Sequence, residues 1–201
     1  MRVLHTITGL SRKSGGTSSC TYHLVRALNE KGCATDLLTS AGTLENPLVG
    51  SGEFIKEIPA HFHTPFAYSR EMRHALDLSS GYDLIHTNGL WLDLNYYSCI
   101  VARRRGLPYI ISPHGMLYPQ ALAVKPWRKR IMRLLCFNRL LREAACIHVT
   151  SEGNSSRTEQ EKDWFSGEIP SNQKLAFSIE SMETSRRKNQ KCRTASYRRR
   201  C

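Results

Sequence analysis

The chain has 201 residues, of which 40% are hydrophobic, and a formal net charge of +12. This length is enough for one ordinary domain and excludes two full α/β domains. The basic excess indicates an anionic partner, and by itself it leaves nucleic acid, phospholipid and a phosphorylated substrate open.

In chain order, short apolar strands alternate with stretches of helical periodicity over the first 150 residues. The predicted elements are strand 2–8, helix 18–31, strands 34–38 and 54–58, helix 68–78, strand 83–86, helix 91–105, strand 109–112, helix 126–145 and strand 146–150. This alternation predicts an α/β fold with a single Rossmann-like, doubly wound parallel sheet and helices on both faces.

The periodic pattern ends after Glu152. Residues 153–201 are rich in Ser, Arg, Lys, Gln and Glu, and from Arg186 onward there are eight basic residues and no acidic ones. Such a composition is typical of disorder. We therefore expect a folded domain over residues 1–152 and a disordered basic tail over residues 153–201.

The seven cysteines indicate a reducing compartment. Their number is odd and they form no C-x-x-C pair, which argues against a disulfide framework. The apolar run at the start is too short for a signal peptide, and no stretch reaches the length of a membrane span. We expect a cytoplasmic protein, which leaves open contact with the inner face of the cell membrane.

The loop after the first predicted strand ends in Gly15 and Gly16, directly before a helix. Glycines let a ligand approach the backbone, and a helix N-terminus attracts anions. The segment matches neither the Walker loop nor G-x-G-x-x-G, so an ordinary strand-to-helix turn is the alternative interpretation. Ser18 or Ser19 is the expected N-cap of the helix.

Two histidines follow neighbouring predicted strands, His86 with Asn88 close behind it, and His114 with Gly115 next to it. Ligands of parallel α/β sheets bind at the carboxyl ends of the strands. Gly115 permits a tight turn that exposes His114, whose imidazole can donate to a sugar hydroxyl or orient a phosphate. Each histidine alone is as readily a surface residue, but together with the two glycines they form a more specific set.

The segment from Trp127 to Arg142 mixes basic and apolar residues. A basic amphipathic helix can lie on anionic lipid. The alternative is a core-packing helix whose basic face is solvated.

The sequence predicts no metal site. The pairs His61 with His63 and Cys20 with His23 have no complementary pair at a usable spacing. There is also no Asp-x-Asp motif to hold a divalent ion on a nucleotide diphosphate.

Four segments in a fixed order resemble the N-terminal domain of family 4 glycosyltransferases, over about residues 1–152. They are SGGT at 14–17, YDLIHTNGLW at 82–91, PYIISPHGML at 108–117 and HVTSE at 148–152. The resemblance implies the N-terminal half of a GT-B fold and a retaining enzyme of cell-surface polysaccharide synthesis. Such an enzyme transfers a sugar from a nucleotide sugar to a glycan or lipid-linked acceptor and needs no other cofactor.

The resemblance also implies roles for individual residues. Gly15 and Gly16 would approach the donor phosphates or the reacting sugar, and His114 would be the catalytic residue near the transferred sugar. His86 and Asn88 would line the acceptor side. Many relatives have a second histidine at the position of Asn88.

Relatives continue after Glu152 with a helix, a strand and a second, donor-binding domain, which the tail does not resemble. Codons can be chosen so that deleting one base after Glu152 turns the following segment into the helix of the relatives. We therefore hypothesise that the tail is an out-of-frame translation of a disrupted gene. On this hypothesis we expect the chain to be an inactive fragment.

Two other function classes stay open. One is a free-standing acceptor-binding half that complements a separately encoded donor-binding chain. The other is a nucleic-acid-binding protein that uses the basic tail. The first 152 residues contain no recognised nucleic-acid motif, so we favour a nucleotide sugar and an acceptor as partners over nucleic acid.

Overall fold

The computed structural model describes residues 1–10, 15–41, 52–63 and 66–148. The strands are β1 (Arg2–Thr6), β2 (Ala34–Ser40), β3 (Ile55–Ile58), β4 (Leu84–Asn88), β5 (Tyr109–Ser112) and β6 (Cys146–Ile147). The helices are α1 (Gly16–Glu30), α2 (Arg70–Leu78), α3 (Asp93–Arg104), α4 (Pro119–Ala123), α5 (Pro126–Met132) and α6 (Asn138–Glu143). All six predicted strands are confirmed. The predicted domain boundary at residue 152 and the disordered tail lie outside the described residues.

The six strands form one sheet in the order β3-β2-β1-β4-β5-β6, and every neighbouring pair is parallel. The predicted Rossmann-like parallel sheet is therefore confirmed. The chain winds outward from β1 to one edge and then from β4 to the other. In such sheets the crevice that receives a ligand lies at the carboxyl ends of the two strands where the order reverses, here β1 and β4.

Helices cover both faces of the sheet. On one face, Tyr22 and Val25 of α1 pack with Ile7 and Leu37. On the other face, a larger cluster joins apolar strand residues to α2, α3 and α6. Its strand members include Leu4, Leu38, Ile85, Tyr109 and Ile111. Because side chains alternate along a strand, one run of residues supplies both cores.

The long helix predicted over residues 126–145 is wrong as a single regular element. It is divided into α5, a π-helical segment (Arg133–Phe137) and α6. A π turn holds extra residues and rotates the side chains that follow it. Phe137 is thereby buried against Trp91 and Tyr96, at ring distances of 5.6 and 6.1 Å.

No helix in the described part of the chain is long and apolar enough to cross a membrane.

Candidate functional site

The crevice at the carboxyl ends of β1 and β4 receives the N-terminus of α1. Gly15 precedes the helix with a φ of +74°, a conformation that glycine adopts at little cost. A Cβ atom added at Gly15 or Gly16 would meet no atom within 4 Å. Both glycines therefore border open space.

The expected N-cap at Ser18 or Ser19 is wrong, because α1 begins at Gly16 and Ser18 is buried within its first turn. The Ser18 hydroxyl donates to the carbonyl oxygen of Gly9 over 2.7 Å. That bond ties the first turn of the helix to the chain that leaves β1. The local preference of serine for an N-cap is overridden by this contact.

A row of buried polar side chains crosses the sheet on the face that α1 covers. His5 and His86 are direct partners in the register of β1 and β4, and their ring centroids lie 4.6 Å apart. His86 Nε2 lies 2.7 Å from Ser112 Oγ, and the same oxygen lies 2.8 Å from His148 Nδ1. We call these four residues the histidine row. Its Ser112 hydroxyl has one hydrogen, so it donates to at most one of the two imidazoles, and the other imidazole donates to it.

Burial keeps the histidine row neutral. Burial, with a smaller contribution from His148, lowers the pKa of His5 to about 3. Burial also holds the pKa of His86 well below its ordinary value, with a smaller effect from the neighbouring imidazoles. The pKa of His148 is lowered by burial as well. At neutral pH the row therefore presents hydrogen-bonding groups without positive charge.

His114 lies beside Asn88, so the structure brings two of the predicted site residues into contact. The His114 Nε2 atom is 3.0 Å from Asn88 Oδ1. Burial, with a smaller contribution from His148, lowers the pKa of His114 to about 4. The ring is therefore neutral near pH 7.

The turn that carries His114 is left-handed at two successive residues. His114 has a φ of +47° and Gly115 a φ of +77°, and the Met116 N–H donates to Pro113 O over 3.0 Å. A Cβ at position 115 would stand 3.0 Å from the Tyr118 ring. The predicted tight turn is thus confirmed, but His114 is half-buried and not exposed as predicted. Both the backbone shape of the turn and its packing favour glycine at position 115.

Asn95 of α3 anchors the strand end beneath this turn. Its Nδ2 group donates to Thr87 Oγ1 over 2.9 Å and to the carbonyl oxygen of Asn88 over 3.1 Å. The Gly89 N–H donates to Ser112 O over 2.8 Å and joins the ends of β4 and β5. These hydrogen bonds hold the backbone at Asn88 in place without involving the Asn88 side chain.

Sequence reasoning missed four polar residues of this region, His5, Asn95, Ser112 and His148, as site members. A signal for the first was present, since His5 interrupts an apolar strand. The register that joins it to His86 depends on strands about 80 residues apart, which local patterns do not specify. Gly15 and Gly16 lie at the same carboxyl edge of the sheet as the histidines, and a Cβ built at either glycine would meet no atom of the described histidines within 4 Å.

Among the described residues, no group of three or more His, Cys, Asp or Glu side chains is placed to hold a metal ion. Of the described residues, those at the crevice present neutral imidazoles, amides, a hydroxyl and open backbone. Such groups bond to hydroxyls and amides. They do not neutralise a full negative charge.

Comparison with known proteins gives one family. The model of the family described as glycosyl transferase 4-like domain matches residues 15–159. No curated protein matches the sequence.

Solved structures match this chain at low identity. An alpha-glucosyltransferase in complex with UDP is 13% identical with a TM-score of 0.50, and the match covers 89% of this chain and 42% of that one. MurG from Acinetobacter baumannii is 16% identical with a TM-score of 0.46, over 75% of this chain and 41% of that one. The chain thus spans less than half the length of these structures.

Proposed function

Because the chain belongs to the glycosyl transferase 4-like domain family, we propose that residues 1–152 form the acceptor-side domain of a retaining glycosyltransferase. The reaction of this proposal moves a sugar from a nucleotide sugar to a glycan or lipid-linked acceptor in cell-surface polysaccharide synthesis. The observation that carries it is the neutral His114–Asn88 pair at the carboxyl edge of the sheet, beside the strands where the order reverses. Neutral hydrogen-bonding groups in a crevice suit the hydroxyls of a sugar.

Each site residue has a part in this proposal. His114 contacts the transferred sugar, and Gly15 and Gly16 let the donor approach the first turn of α1. Asn88 belongs to the acceptor side, to which the resemblance also assigned His86. His86 is only 6% exposed and its Nε2 atom bonds to Ser112, so we assign it to supporting the strand end from within.

The proposal also assigns the departing nucleotide to groups outside the crevice. Stabilising a leaving diphosphate takes positive charge placed against it. The imidazoles of the described crevice are held neutral by burial. We therefore propose that this domain alone shows no turnover and needs a donor-binding partner domain, in the same or a separate chain.

Saturation-transfer NMR on the full chain tests the proposal, with UDP- and GDP-sugars as probes. Sugar-ring protons should receive saturation in the wild type at millimolar probe, and this signal should disappear in His114→Ala. The matched control is His23→Ala, an exposed histidine of α1, which should leave the signal intact. Calorimetry at micromolar protein should show no heat with UDP or GDP alone. A micromolar heat signal, or equal sugar signals in the two alanine variants, would contradict the proposal.

A second proposal concerns a surface on α5 and the π-helical segment. Val124, Trp127, Ile131 and Leu134 are 60%, 63%, 48% and 71% exposed, and we call them the apolar row. The last three follow the i, i+4, i+7 spacing of one helical face. Arg128 lies over the Trp127 ring at 5.6 Å, and residues 94–142 contain no Asp or Glu. We propose that this apolar row lies on an anionic lipid surface, with the lysines and arginines around it contacting the headgroups.

Vesicle pelleting distinguishes lipid binding by this surface from non-specific adsorption of the chain to vesicles. Vesicles with 30% phosphatidylglycerol should pellet the full chain. Two variants should pellet more weakly. One is the double variant Trp127→Ser with Ile131→Ser, and the other changes Arg128, Lys129 and Arg130 to Glu. Leu78→Ser is the matched control, because Leu78 is 68% exposed on a different helix. Pelleting that all variants retain equally, or that neutral phosphatidylcholine supports as well, would overturn the lipid proposal.

A further inference from the structure

The orientation of the Asn88 side-chain amide is fixed by its neighbours. Its Nδ2 group lies 3.4 Å from the carbonyl oxygens of both Thr6 and His86. Carbonyl oxygens only accept hydrogen bonds, so the NH₂ group must face them. The amide oxygen therefore faces His114, and it can only accept there.

This orientation fixes the protonation of the His114 ring. Nε2 carries the hydrogen and donates it to Asn88 Oδ1 over 3.0 Å. Since burial keeps the ring neutral, Nδ1 has no hydrogen. The Nδ1 atom has no hydrogen-bond partner among the described residues, so it is the acceptor that the ring has left to offer.

We propose that Asn88 is a positioning residue that fixes the tautomer of His114, so that His114 bonds a ligand only as an acceptor through Nδ1. The proposal rests on the proposed function, in which a sugar occupies the crevice. A sugar hydroxyl can donate to Nδ1, whereas an ionised phosphate oxygen cannot. The sequence left two roles open for His114, contact with a sugar hydroxyl and orientation of a phosphate. The tautomer selects the contact with a hydroxyl. In that contact the sugar hydroxyl donates the hydrogen bond and His114 accepts it, the reverse of the direction expected from the sequence.

The surroundings of Asn88 allow its side chain to be changed without moving the strand end. The backbone at position 88 is held by Asn95, and the next residue bonds to Ser112. Asn88→Asp keeps the shape of the side chain and replaces the amide by a carboxylate. Asn88→Ala removes the acceptor.

NMR of the ligand-free full chain with ¹⁵N-labelled histidine tests the proposal. In the wild type, His114 should show the Nε2–H tautomer and an Hε2 signal that exchanges slowly with water. Asn88→Ala should lose the slow signal. Asn88→Asp should raise the pKa of His114 by about one unit or more, because a carboxylate stabilises the imidazolium. Asn138→Asp, which adds the same charge on α6, is the matched control and should leave that pKa in place.

An Nδ1–H tautomer in the wild type would overturn the proposal. So would an Hε2 signal that Asn88→Ala leaves unchanged, or equal pKa values of His114 in Asn88→Asp and Asn138→Asp. Because no sugar is present, this result stands apart from the sugar-binding test. A failed sugar test with the expected tautomer would reject the proposed function and leave the positioning of His114 intact.

Discussion

His5 and His86 lie side by side on neighbouring strands, with ring centroids 4.6 Å apart, and neither nitrogen of His5 has a hydrogen-bond partner among the described residues. Two imidazoles in this position cannot both be charged, because burial and mutual repulsion oppose it. The folded state therefore requires them to be neutral. That requirement links stability to pH.

The free energy of unfolding should fall as the pH drops below about 6.5. The pKa of His5 is lowered to about 3 in the fold, whereas an unfolded histidine titrates near 6.5. Between these two pH values, His5 is protonated in the unfolded state and neutral in the folded state. Stability is thus complete above the unfolded pKa, and each such histidine removes about 1.4 kcal/mol per pH unit below it.

His5→Leu should reduce the acid sensitivity that this histidine causes, and it should not lower stability at pH 7, because the buried nitrogens it removes are unpartnered. Urea unfolding of the full chain at several pH values from 7 to 4.5 measures both effects. The pKa values of Asp36 and Glu143 are lowered in the fold, so these carboxyls affect stability only near and below their ordinary pKa values. The pH slope of the histidines is therefore compared above about pH 5.5, where carboxyls are ionised in both states. Equal pH slopes for the variant and the wild type would show that His5 is not the group that titrates.

Alanine at Gly15 should lower stability, whereas alanine at Gly16 should not. Gly15 has a φ of +74° and a ψ of −162°, a backbone region that residues with a Cβ rarely occupy, so Gly15→Ala should destabilise the fold by about 1–3 kcal/mol. Gly16 opens α1, and a Cβ there meets no atom within 4 Å. Gly16→Ala should be neutral or slightly stabilising.

The two glycine variants are matched, because they add the same methyl group at adjacent positions. Under the proposed function, Gly16→Ala should weaken the saturation-transfer signal of a UDP-sugar while keeping full stability in urea. If Gly16→Ala leaves the sugar signal unchanged, the ligand does not approach this glycine.

The fold was predictable from the sequence because short apolar strands and helical spacing are local signals. Helix 91–105, for example, was predicted within two residues of α3 at its start and one at its end. The π-helical segment was not predictable, since it depends on how Phe137 packs against Trp91 and Tyr96. Ser18 was wrongly predicted as an N-cap, because its hydroxyl bonds to Gly9 O, a contact that local sequence patterns do not reveal.

The site was predictable only in part. Glycines and histidines that follow predicted strands mark the carboxyl edge, so the positions of Gly15, His86, Asn88 and His114 at that edge were predictable. The other polar residues of the site are brought together by contacts between elements that are distant in the sequence. The bonds of Ser112 to two histidines and of Asn95 to the end of β4 join residues that are up to 36 positions apart.

Removing the carboxylate of Asp93 should destabilise the packing of α2 on α3. Arg73 forms a two-point ion pair with Asp93, and its guanidinium also lies 4.9 Å and 4.5 Å from the ring centres of Tyr68 and Tyr97. Asp93→Ala leaves this partly buried cation without its anion, at a cost of about 2 kcal/mol. Glu30→Ala breaks an exposed pair with Arg26 and should change urea unfolding little, so similar losses in both variants would contradict the distinction.

Glycine at position 114 should give a more stable chain than alanine does. His114 has a φ of +47°, which is a left-handed conformation. This conformation destabilises the fold by about 1 kcal/mol for a residue with a Cβ, and glycine adopts it without that cost. Both substitutions remove the imidazole and its bond to Asn88, so their difference isolates the backbone strain. Strained residues of this kind concentrate at ligand sites, where the surrounding structure holds a side chain in a conformation it would not choose. Urea unfolding at pH 7 should therefore place His114→Gly about 1 kcal/mol above His114→Ala. Equal stabilities would mean that position 114 relaxes out of the left-handed region, and that the turn does not hold the imidazole against Asn88 by its own backbone shape.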